Sequence, residues 1–398
     1  MDILKYLLII FIFIFPVAEA GRLQFGSIAF SINDIVLFFT VSFWLVFNYK
    51  KINLKKYKLT KPIFIFSAVS FITLLFNPLQ LEKTSFITSL LYLIRWILYS
   101  SVYFMLVSQD KQFLKKLSDL LLVPIAFFIG IGYIQFFFYE SLKNLFYAGW
   151  DEHLYRLFST FLDPNFAGAF LTISLIFLIH KFFESVKEKR NNKMVFIASL
   201  SLLNLLAVYL TYSRSALIML FISLAVYFFL VKKLRPLVLL FVFLFLLIFI
   251  SPKSFQTEGT NFLRIASGGA RIQSAYIALD IIQKHPIFGV GFNAYRYAQN
   301  KYANLTDSKW EITHSGAGTD NSFLFVFATT GIAGFAVFLY LIYKIFLLGK
   351  EGFKKNSISK VLIAVFAGLL INSFFNNSLF YVYILEWIWI LSSLTENS

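Results

Sequence analysis

The sequence predicts an all-α fold: a polytopic membrane bundle of about 12 transmembrane helices with one long extracytoplasmic loop containing helices. Three observations support this prediction. Hydrophobic residues make up 59% of the 398-residue chain and charged residues only 14%. Apolar segments of about 20 residues, the length that crosses a bilayer, recur along the chain. Basic runs separate these segments at alternate boundaries. A soluble protein could not bury this much apolar surface.

Twelve apolar segments meet the length requirement for a span. They lie near 4–20, 30–49, 62–77, 85–107, 118–139, 164–180, 194–211, 215–231, 236–250, 321–343, 361–376 and 378–394. The first, within MDILKYLLIIFIFIFPVAEAG, also resembles a cleavable signal peptide because Ala-Glu-Ala precedes Gly21. Its start is barely basic, so we expect it to be retained as a span.

The positive charge predicts the topology. Basic runs at 50–61, 181–193, 232–235 and 344–360 fall on the same side of the predicted bundle. That side carries 23 Lys and Arg, against five in the short loops of the other side. By the positive-inside rule both termini are cytoplasmic and the loop 251–320 is outside. The net charge of +16 therefore indicates anionic membrane lipid rather than nucleic acid as the partner. The chain has no cysteine, which excludes disulfides and thiol catalysis.

The whole chain, 1–398, is predicted to be a single membrane domain, with 251–320 as a loop inside it. Within this loop, residues 270–284 have the periodicity of an amphipathic helix that lies on the membrane or against the bundle. Its predicted apolar face consists of Ile272, Ala275, Tyr276, Leu279 and Ile282. The following HPIFGVGF has two glycines at a spacing typical of a tight turn, not of a nucleotide-binding fingerprint.

Two arginines are candidates for binding an anionic substrate. Arg214, in YLTYSRSAL, lies in a very short connection between two spans, with Ser213 among its polar neighbours. Arginine at the bilayer centre costs about 2.5–3.5 kcal/mol, so Arg214 either contacts lipid phosphate at the interface or lines an outer cavity. Arg271 opens the loop helix and is either solvated or, with Arg214, a clamp for phosphate oxygens.

The segment RLFSTFLDPNFAGAFL precedes the sixth span. Asp163 and Asn165 flank a proline, an arrangement that caps a helix N-terminus, and Gly168 allows close helix packing. Capping alone would explain both polar residues. Arg156 adds a third basic group on the same outer side.

Arg95 and Glu386 lie inside the fourth and twelfth predicted spans at similar depths. A charge inside a membrane needs a partner or a wet cavity. We therefore expect these two residues to form a structural ion pair.

The stretch THSGAGTDNSFLF joins the long loop to the tenth span and contains His314, Asp320 and Asn321. One interpretation is a reaction site at the membrane boundary. The other is that Asn321 and Ser322 only cap the following helix.

These pieces, in this order, resemble the O-antigen ligase and O-antigen polymerase superfamily of bacterial envelope glycan assembly. The matching elements lie within about 155–337. They are RLFSTFLDPNFAGAFL, YLTYSRSAL, GARIQSAYIALDIIQKHPIFGVGFNAYR and DNSFLFVFATTGIAGF. The other spans agree only in hydropathy.

The resemblance implies a glycosyltransferase of the bacterial cytoplasmic membrane that uses no metal and no cofactor. It would transfer glycan from undecaprenyl diphosphate to an acceptor hydroxyl on the outer face, alongside flippase and chain-length-regulator partners. The family's diphosphate-binding arginines map onto Arg214 and Arg271, and less directly Arg156. Asp320 takes the position of the base, with His314 upstream as its replacement candidate.

The acceptor distinguishes the branches of this family. Its ligases carry His-Asn before the span that follows the long loop, whereas this chain has Asp320-Asn321. That difference favours a polymerase, whose acceptor is another lipid-linked glycan. A ligase, which uses lipid A core or a protein, is the alternative. A flippase for the same lipid-linked glycans is the alternative from another class, and it would show more buried charge and repeat symmetry.

Overall fold

The computed structural model describes residues 3–25, 28–48, 53–233, 235, 242, 258–261, 266–303, 318–353 and 356–397. These residues are mainly helical, which confirms the predicted all-α class. The α-helices in chain order are α1 (Ile3–Ile14), α2 (Ile32–Asn48), α3 (Thr60–Leu75), α4 (Lys83–Val107), α5 (Lys111–Leu120), α6 (Leu122–Phe138), α7 (Pro164–Lys187), α8 (Asn191–Leu210), α9 (Arg214–Leu230), α10 (Ala266–Lys284), α11 (Tyr295–Ala303), α12 (Ser322–Gly352), α13 (Ile358–Asn372) and α14 (Val382–Glu396). An antiparallel hairpin, β1 (Arg22–Phe25) and β2 (Ile28–Ser31), joins α1 to α2 and was not predicted.

Six helical segments of the described chain are long and apolar enough to cross a membrane. They are Ile3–Gly21, Lys83–Val107, Lys111–Phe138, Pro164–Lys187, Asn191–Leu210 and Ser322–Gly352. Four shorter apolar helices, α2, α3, α9 and α13, accompany them. Eleven of the twelve predicted spans contain a described helix. The ninth, 236–250, lies outside the described residues except for residue 242. The protein is thus a multi-pass membrane protein, and the count of about 12 spans remains a prediction.

Side-chain caps start three helices at one end of the bundle. Asp163 accepts hydrogen bonds from two backbone N–H groups at the start of α7, at 2.6 and 3.4 Å. Ser213 caps α9 through the N–H of Ala216, and Asn321 caps α12 through two N–H groups at 2.9 and 3.1 Å. The predicted caps at Asp163 and Asn321 are confirmed. We call this end, with the connection between α13 and α14, the site end.

Ion pairs gather at the opposite end. Lys5 pairs with Asp110, which precedes α5, and Lys181 pairs with Asp119 at 3.0 Å. Lys58, before α3, pairs with an acidic residue at the end of α12. Basic loops that the sequence places on one side therefore meet at one end of the bundle. The contact of Lys5 also fastens the first predicted span to the remainder of the protein.

The helix α12 is broken at Gly331, and a turn from the loop 251–320 fills the break. Gly331 has φ 63° and ψ −168°, which no helix contains. The carbonyls of Ala328 and Thr329 accept hydrogen bonds from the N–H groups of Val290 and Gly291, at 3.0 and 2.9 Å. Beyond the break, the N–H groups of residues 332 and 333 donate to the carbonyls of residues 286 and 287, at 2.9 and 3.4 Å. Backbone groups inside a membrane need such partners when a helix is interrupted.

The same turn explains the glycines of HPIFGVGF. Gly289 and Gly291 have φ of 66° and 99°, which confirms the predicted tight turn. A Cβ at Gly289 would lie 2.5 Å from the backbone of Thr329. The glycines therefore supply both the turn geometry and the close approach to α12.

The loop helix α10 is confirmed and begins at Ala266, four residues earlier than predicted. Most of its predicted apolar face does not contact the bundle, so contact of that face with the membrane, the other predicted arrangement, stays a prediction. Ile272 and Tyr276 are 60% and 69% exposed, whereas Ala278 and Ile281 are fully buried. The helix packs against α12 through a narrow stripe near its C-terminal end. Periodicity identified the helix but not which of two apolar stripes meets the bundle.

The predicted ion pair between Arg95 and Glu386 is wrong. Arg95 instead pairs with Asp34, at the start of α2, and donates a hydrogen bond to the carbonyl of Ala29 at 3.1 Å. Equal depth along two helices does not place their side chains on facing sides. The β-hairpin brings Asp34 next to Arg95, and the sequence did not predict that hairpin.

Candidate functional site

The candidate site is built at the site end, where α7 meets the connection between α8 and α9. Asn165 Oδ1 accepts hydrogen bonds from Ser213 Oγ at 2.9 Å and Arg156 Nη2 at 3.5 Å. A Cβ at Gly168 would lie 2.6 Å from the Cβ of Ala216, so this glycine permits the close packing predicted for it. Small residues thus bring two helix starts together and align their polar side chains.

Arg156 is held by the protein. It is 6% exposed, and its Nε donates to the carbonyl of Thr211 at 2.9 Å. Together with the contact to Asn165, this ties the segment before α7 to the turn before α9. Arg156 is therefore a buried residue that links two segments close to Arg214 in the chain.

A hydrogen-bond chain continues from Ser213 to Arg271. Ser213 Oγ lies 3.1 Å from Ser215 Oγ, which accepts from Asn376 Nδ2 at 2.8 Å. Asn376 Oδ1 then accepts from Arg271 Nη2 at 3.3 Å. The chain joins α9, the α13–α14 connection and the loop helix α10. We call these residues, with Asn165 and Arg156, the polar network.

Electrostatic coupling extends the network to Arg214 and Asp320. The pKa of Arg271 is lowered, mainly because burial desolvates its guanidinium group. The positive charge of Arg214 lowers this pKa further, whereas the carboxylates of Asp320 and Asp163 raise it. Arginine nevertheless remains a cation in proteins. The two arginines that were predicted to bind diphosphate are therefore close enough to sense each other, at the start of α9 and in α10.

Asp320 combines solvent exposure with a free carboxyl group. Its backbone N–H donates to Ser274 Oγ of α10 at 3.4 Å, while its carboxyl makes no hydrogen bond or ion pair within the described chain. Surrounding protein partly desolvates that carboxyl and raises its pKa; Arg271 opposes this rise, and Asp163 and Asp151 add to it. A carboxylate with a raised pKa and no bonded donor is suited to accept a proton.

Asn321 has mainly a structural role. Its Oδ1 caps α12, and its Nδ2 donates to the carbonyl of Phe374 at 3.3 Å. The adjacent Ser322 N–H donates to the carbonyl of Ser373 at 2.9 Å. These bonds attach the start of α12 to the α13–α14 connection and hold Asp320 beside it. His314 lies outside the described residues.

Sequence reasoning did not identify Asn376, which joins two parts of the polar network. It is 5% exposed and is the last residue of the eleventh predicted span, 361–376. The stretch INSFFNNS contains three asparagines and two serines at a membrane boundary, a signal that could have found it. Ser274 was also missed, because a serine on a loop helix gives no indication of its partner.

Taken together, the site end presents two arginines and one unbonded carboxyl group. A guanidinium binds phosphate oxygens through paired N–H groups, and several N–H groups of Arg271 are not used by protein in the described structure. A carboxylate within the same electrostatic field can take a proton from a hydroxyl. This combination fits the transfer of a group from a phosphate ester to an alcohol.

Comparison with known proteins gives a family match for the central part of the chain. Residues 199–339 match the sequence model of the Wzy_C family, described as O-antigen ligase. This range contains Arg214, Arg271 and Asp320, whereas Arg156 and Asn376 lie outside it. The match confirms the resemblance stated from the sequence motifs. A search of curated proteins gave no match.

Proposed function

Since residues 199–339 belong to the O-antigen ligase and polymerase superfamily, we propose that this protein is a membrane glycosyltransferase of bacterial surface polysaccharide assembly. Its donor is a glycan linked to undecaprenyl diphosphate, and its acceptor is a hydroxyl group on the outer face of the cytoplasmic membrane. A polymerase is favoured.

One observation carries this proposal. The unbonded carboxyl of Asp320 and the cations of Arg271 and Arg214 belong to one electrostatic cluster. They come from three separate parts of the chain, and the network through Asn376 fixes one of the arginines. A structural role for Asp320 would require a partner for its carboxyl, and the described protein supplies none.

The chemistry follows from these charges. The acceptor oxygen attacks the anomeric carbon, and the bond from that carbon to the diphosphate oxygen breaks. The leaving diphosphate keeps the electron pair, and Arg271 and Arg214 stabilise its negative charge. Asp320 takes the acceptor proton and later releases it to water. A single displacement of this kind inverts the configuration at the anomeric carbon.

The polymerase assignment rests on Asp320 at the position where ligases of the family carry histidine. A ligase that uses lipid A core or a protein as its acceptor would need the same arginines. A flippase would move the lipid-linked glycan without changing a bond, and it would need no unbonded carboxylate at one end of the bundle.

The test uses purified full-length protein with a lipid-linked oligosaccharide. We expect release of undecaprenyl diphosphate together with a longer glycan. Asp320→Asn and Arg271→Ala should abolish both products, while Asp280→Asn, an exposed acid on the same helix as Arg271, should retain them. Folding of each variant is checked by size-exclusion chromatography.

Three results would change the assignment. Lipid movement across vesicles with no bond change would contradict the transferase. Normal product from Asp320→Asn together with none from His314→Ala would make the histidine the base. Transfer only when lipid A core is supplied would replace the polymerase with a ligase.

A further inference from the structure

A second group of ionisable residues lies inside the bundle and takes no part in the proposed reaction. Its central member is Glu386, roughly 6 Å along α14 from the first residue of that helix. Glu386 is 1% exposed, and both carboxyl oxygens lack a hydrogen-bond partner. In the described part of the chain, no Lys, Arg or His forms an ion pair with it.

A second carboxylate adds to the unfavourable environment of Glu386. Asp34 acts electrostatically on Glu386 as a like charge. Asp34 itself is neutralised by Arg95 and accepts a hydrogen bond from the N–H of Ser31 at 2.8 Å. Arg95 is therefore already committed, and it leaves Glu386 without a counter-charge.

Other polar groups around these carboxyls are also unpartnered. Asp34 Oδ1 and the hydroxyl of Tyr99 are buried and make no hydrogen bond to the described residues. Tyr99 on α4 and Glu386 on α14 come from helices that pack against each other, with the rings of Trp96 and Trp389 6.3 Å apart. Tyr99 also senses the charges of both Asp34 and Glu386, and we call these three side chains the Glu386 cluster. Beside Asp34 on α2, the amide of Asn33 is fully buried and neither of its polar atoms is bonded.

The carboxylate of Glu386 distinguishes this cluster from other buried polar groups, because it is an ionisable group with no counter-charge among the described residues. Burying an ionised carboxylate without a counter-charge is strongly unfavourable, and each unsatisfied buried polar group adds to the cost. Buried sites of this kind normally hold water that bonds to several polar groups. Water alone does not neutralise the carboxylate, however, and one positive charge is still missing. Ionisable residues within membrane bundles that lack a protein partner are typical of proton and ion sites.

We propose that the Glu386 cluster binds one monovalent cation, carried either as a proton on the carboxyl of Glu386 or as a sodium ion coordinated by its oxygens. The available ligands are all oxygen atoms: the carboxyl of Glu386, Oδ1 of Asp34 and the hydroxyl of Tyr99. The site is separate from the polar network, since no described residue of that network bonds to any member of the cluster. The proposal does not depend on the glycosyltransferase assignment.

Infrared difference spectroscopy tests the proposal on purified full-length protein. The spectrum of Glu386→Gln is subtracted from that of the wild type, in sodium chloride and in choline chloride of equal ionic strength. Glu82→Gln, an exposed acid before α4, is the control and should remove only an ordinary carboxylate band that ignores sodium. Glu386→Asp serves if the glutamine variant does not fold, since its carboxyl band should shift instead of disappearing.

Each result decides the question. Loss of a protonated-carboxyl band in Glu386→Gln, alike in both salts, identifies a proton. Loss of a carboxylate band that shifts between sodium and choline identifies a sodium ion. Loss of a carboxylate band that is the same in both salts overturns the proposal, because Glu386 would then be an anion with no bound cation.

Discussion

Replacing Gly331 by alanine tests whether the turn in the broken helix α12 holds the site together. The added Cβ would collide with the carbonyl group of Ile287, which is itself bonded to the N–H of Ala333. Gly331 also has a backbone conformation that is almost restricted to glycine, with φ 63° and ψ −168°. Alanine therefore faces two independent penalties at this position.

The size of the effect follows from these two penalties. Forcing a residue other than glycine into this conformation costs about 1–3 kcal/mol. Overpacking against backbone that cannot move away costs about 1–3 kcal/mol more. The expected loss in the free energy of unfolding is therefore about 2–6 kcal/mol. If the turn at 286–291 moved away to avoid the added Cβ, its hydrogen bonds to α12 would break instead.

The assay is the melting temperature of detergent-purified protein, followed by tryptophan fluorescence. Gly130→Ala is the matched control, because a Cβ there meets nothing within 4 Å and the residue lies in the regular helix α6. Alanine is favoured over glycine in a helix by about 0.8–1.0 kcal/mol, so this variant should melt no lower than the wild type. Equal melting temperatures for Gly331→Ala and wild type would refute the description of the break.

Three further predictions concern the charges. The transfer rate should fall as the pH drops through the raised pKa of Asp320, because the base must be deprotonated. In the pH–rate profile, this fall should occur at a higher pH than the ordinary pKa of aspartate. Any residual activity of Asp320→Asn should not show it. Asn376→Ala removes the hydrogen-bond acceptor of Arg271 and should slow transfer by about 10-fold for each 1.4 kcal/mol of transition-state stabilisation that is lost. An unchanged rate would show that the polar network does not position Arg271. Arg95→Gln should lower the free energy of unfolding by about 3–5 kcal/mol, because Asp34 loses its partner. Adding Asp34→Asn should restore part of the lost stability. No recovery in the melting temperature would argue against the ion pair.

Local features of the sequence were predicted well, since they depend on neighbouring residues. Asp163 and Asn321 cap helices because an amide or carboxyl oxygen beside a helix start finds N–H groups within three residues. Hydrophobic length located eleven described helices for the same reason, and the number that cross the membrane stays a prediction. Arg214, Arg271 and Asp320 could be assigned to one face because the topology places the corresponding loop ends on one side of the membrane.

Long-range contacts were not predictable from the single sequence. TTGIAG contains two glycines, and only the turn at 286–291 determines that Gly331 is the one in the break. Arg95 was matched to the wrong acid because the β-hairpin, which carries Asp34 towards it, left no clear signal. Asn376 was missed since its role depends on two partners, Ser215 and Arg271, that lie far away in the chain.

The broken helix and the candidate base are parts of one arrangement. The turn that follows α10 is bonded into the break of α12, which fixes the C-terminal end of α10. Nearer its N-terminal end, Arg271 bonds to Asn376 and Ser274 bonds to Thr319, next to Asp320. The loop helix is therefore attached to the bundle at both ends, and its arginine can move little relative to the base. A substrate diphosphate would meet charges that are already in place, and such preorganisation makes electrostatic stabilisation effective.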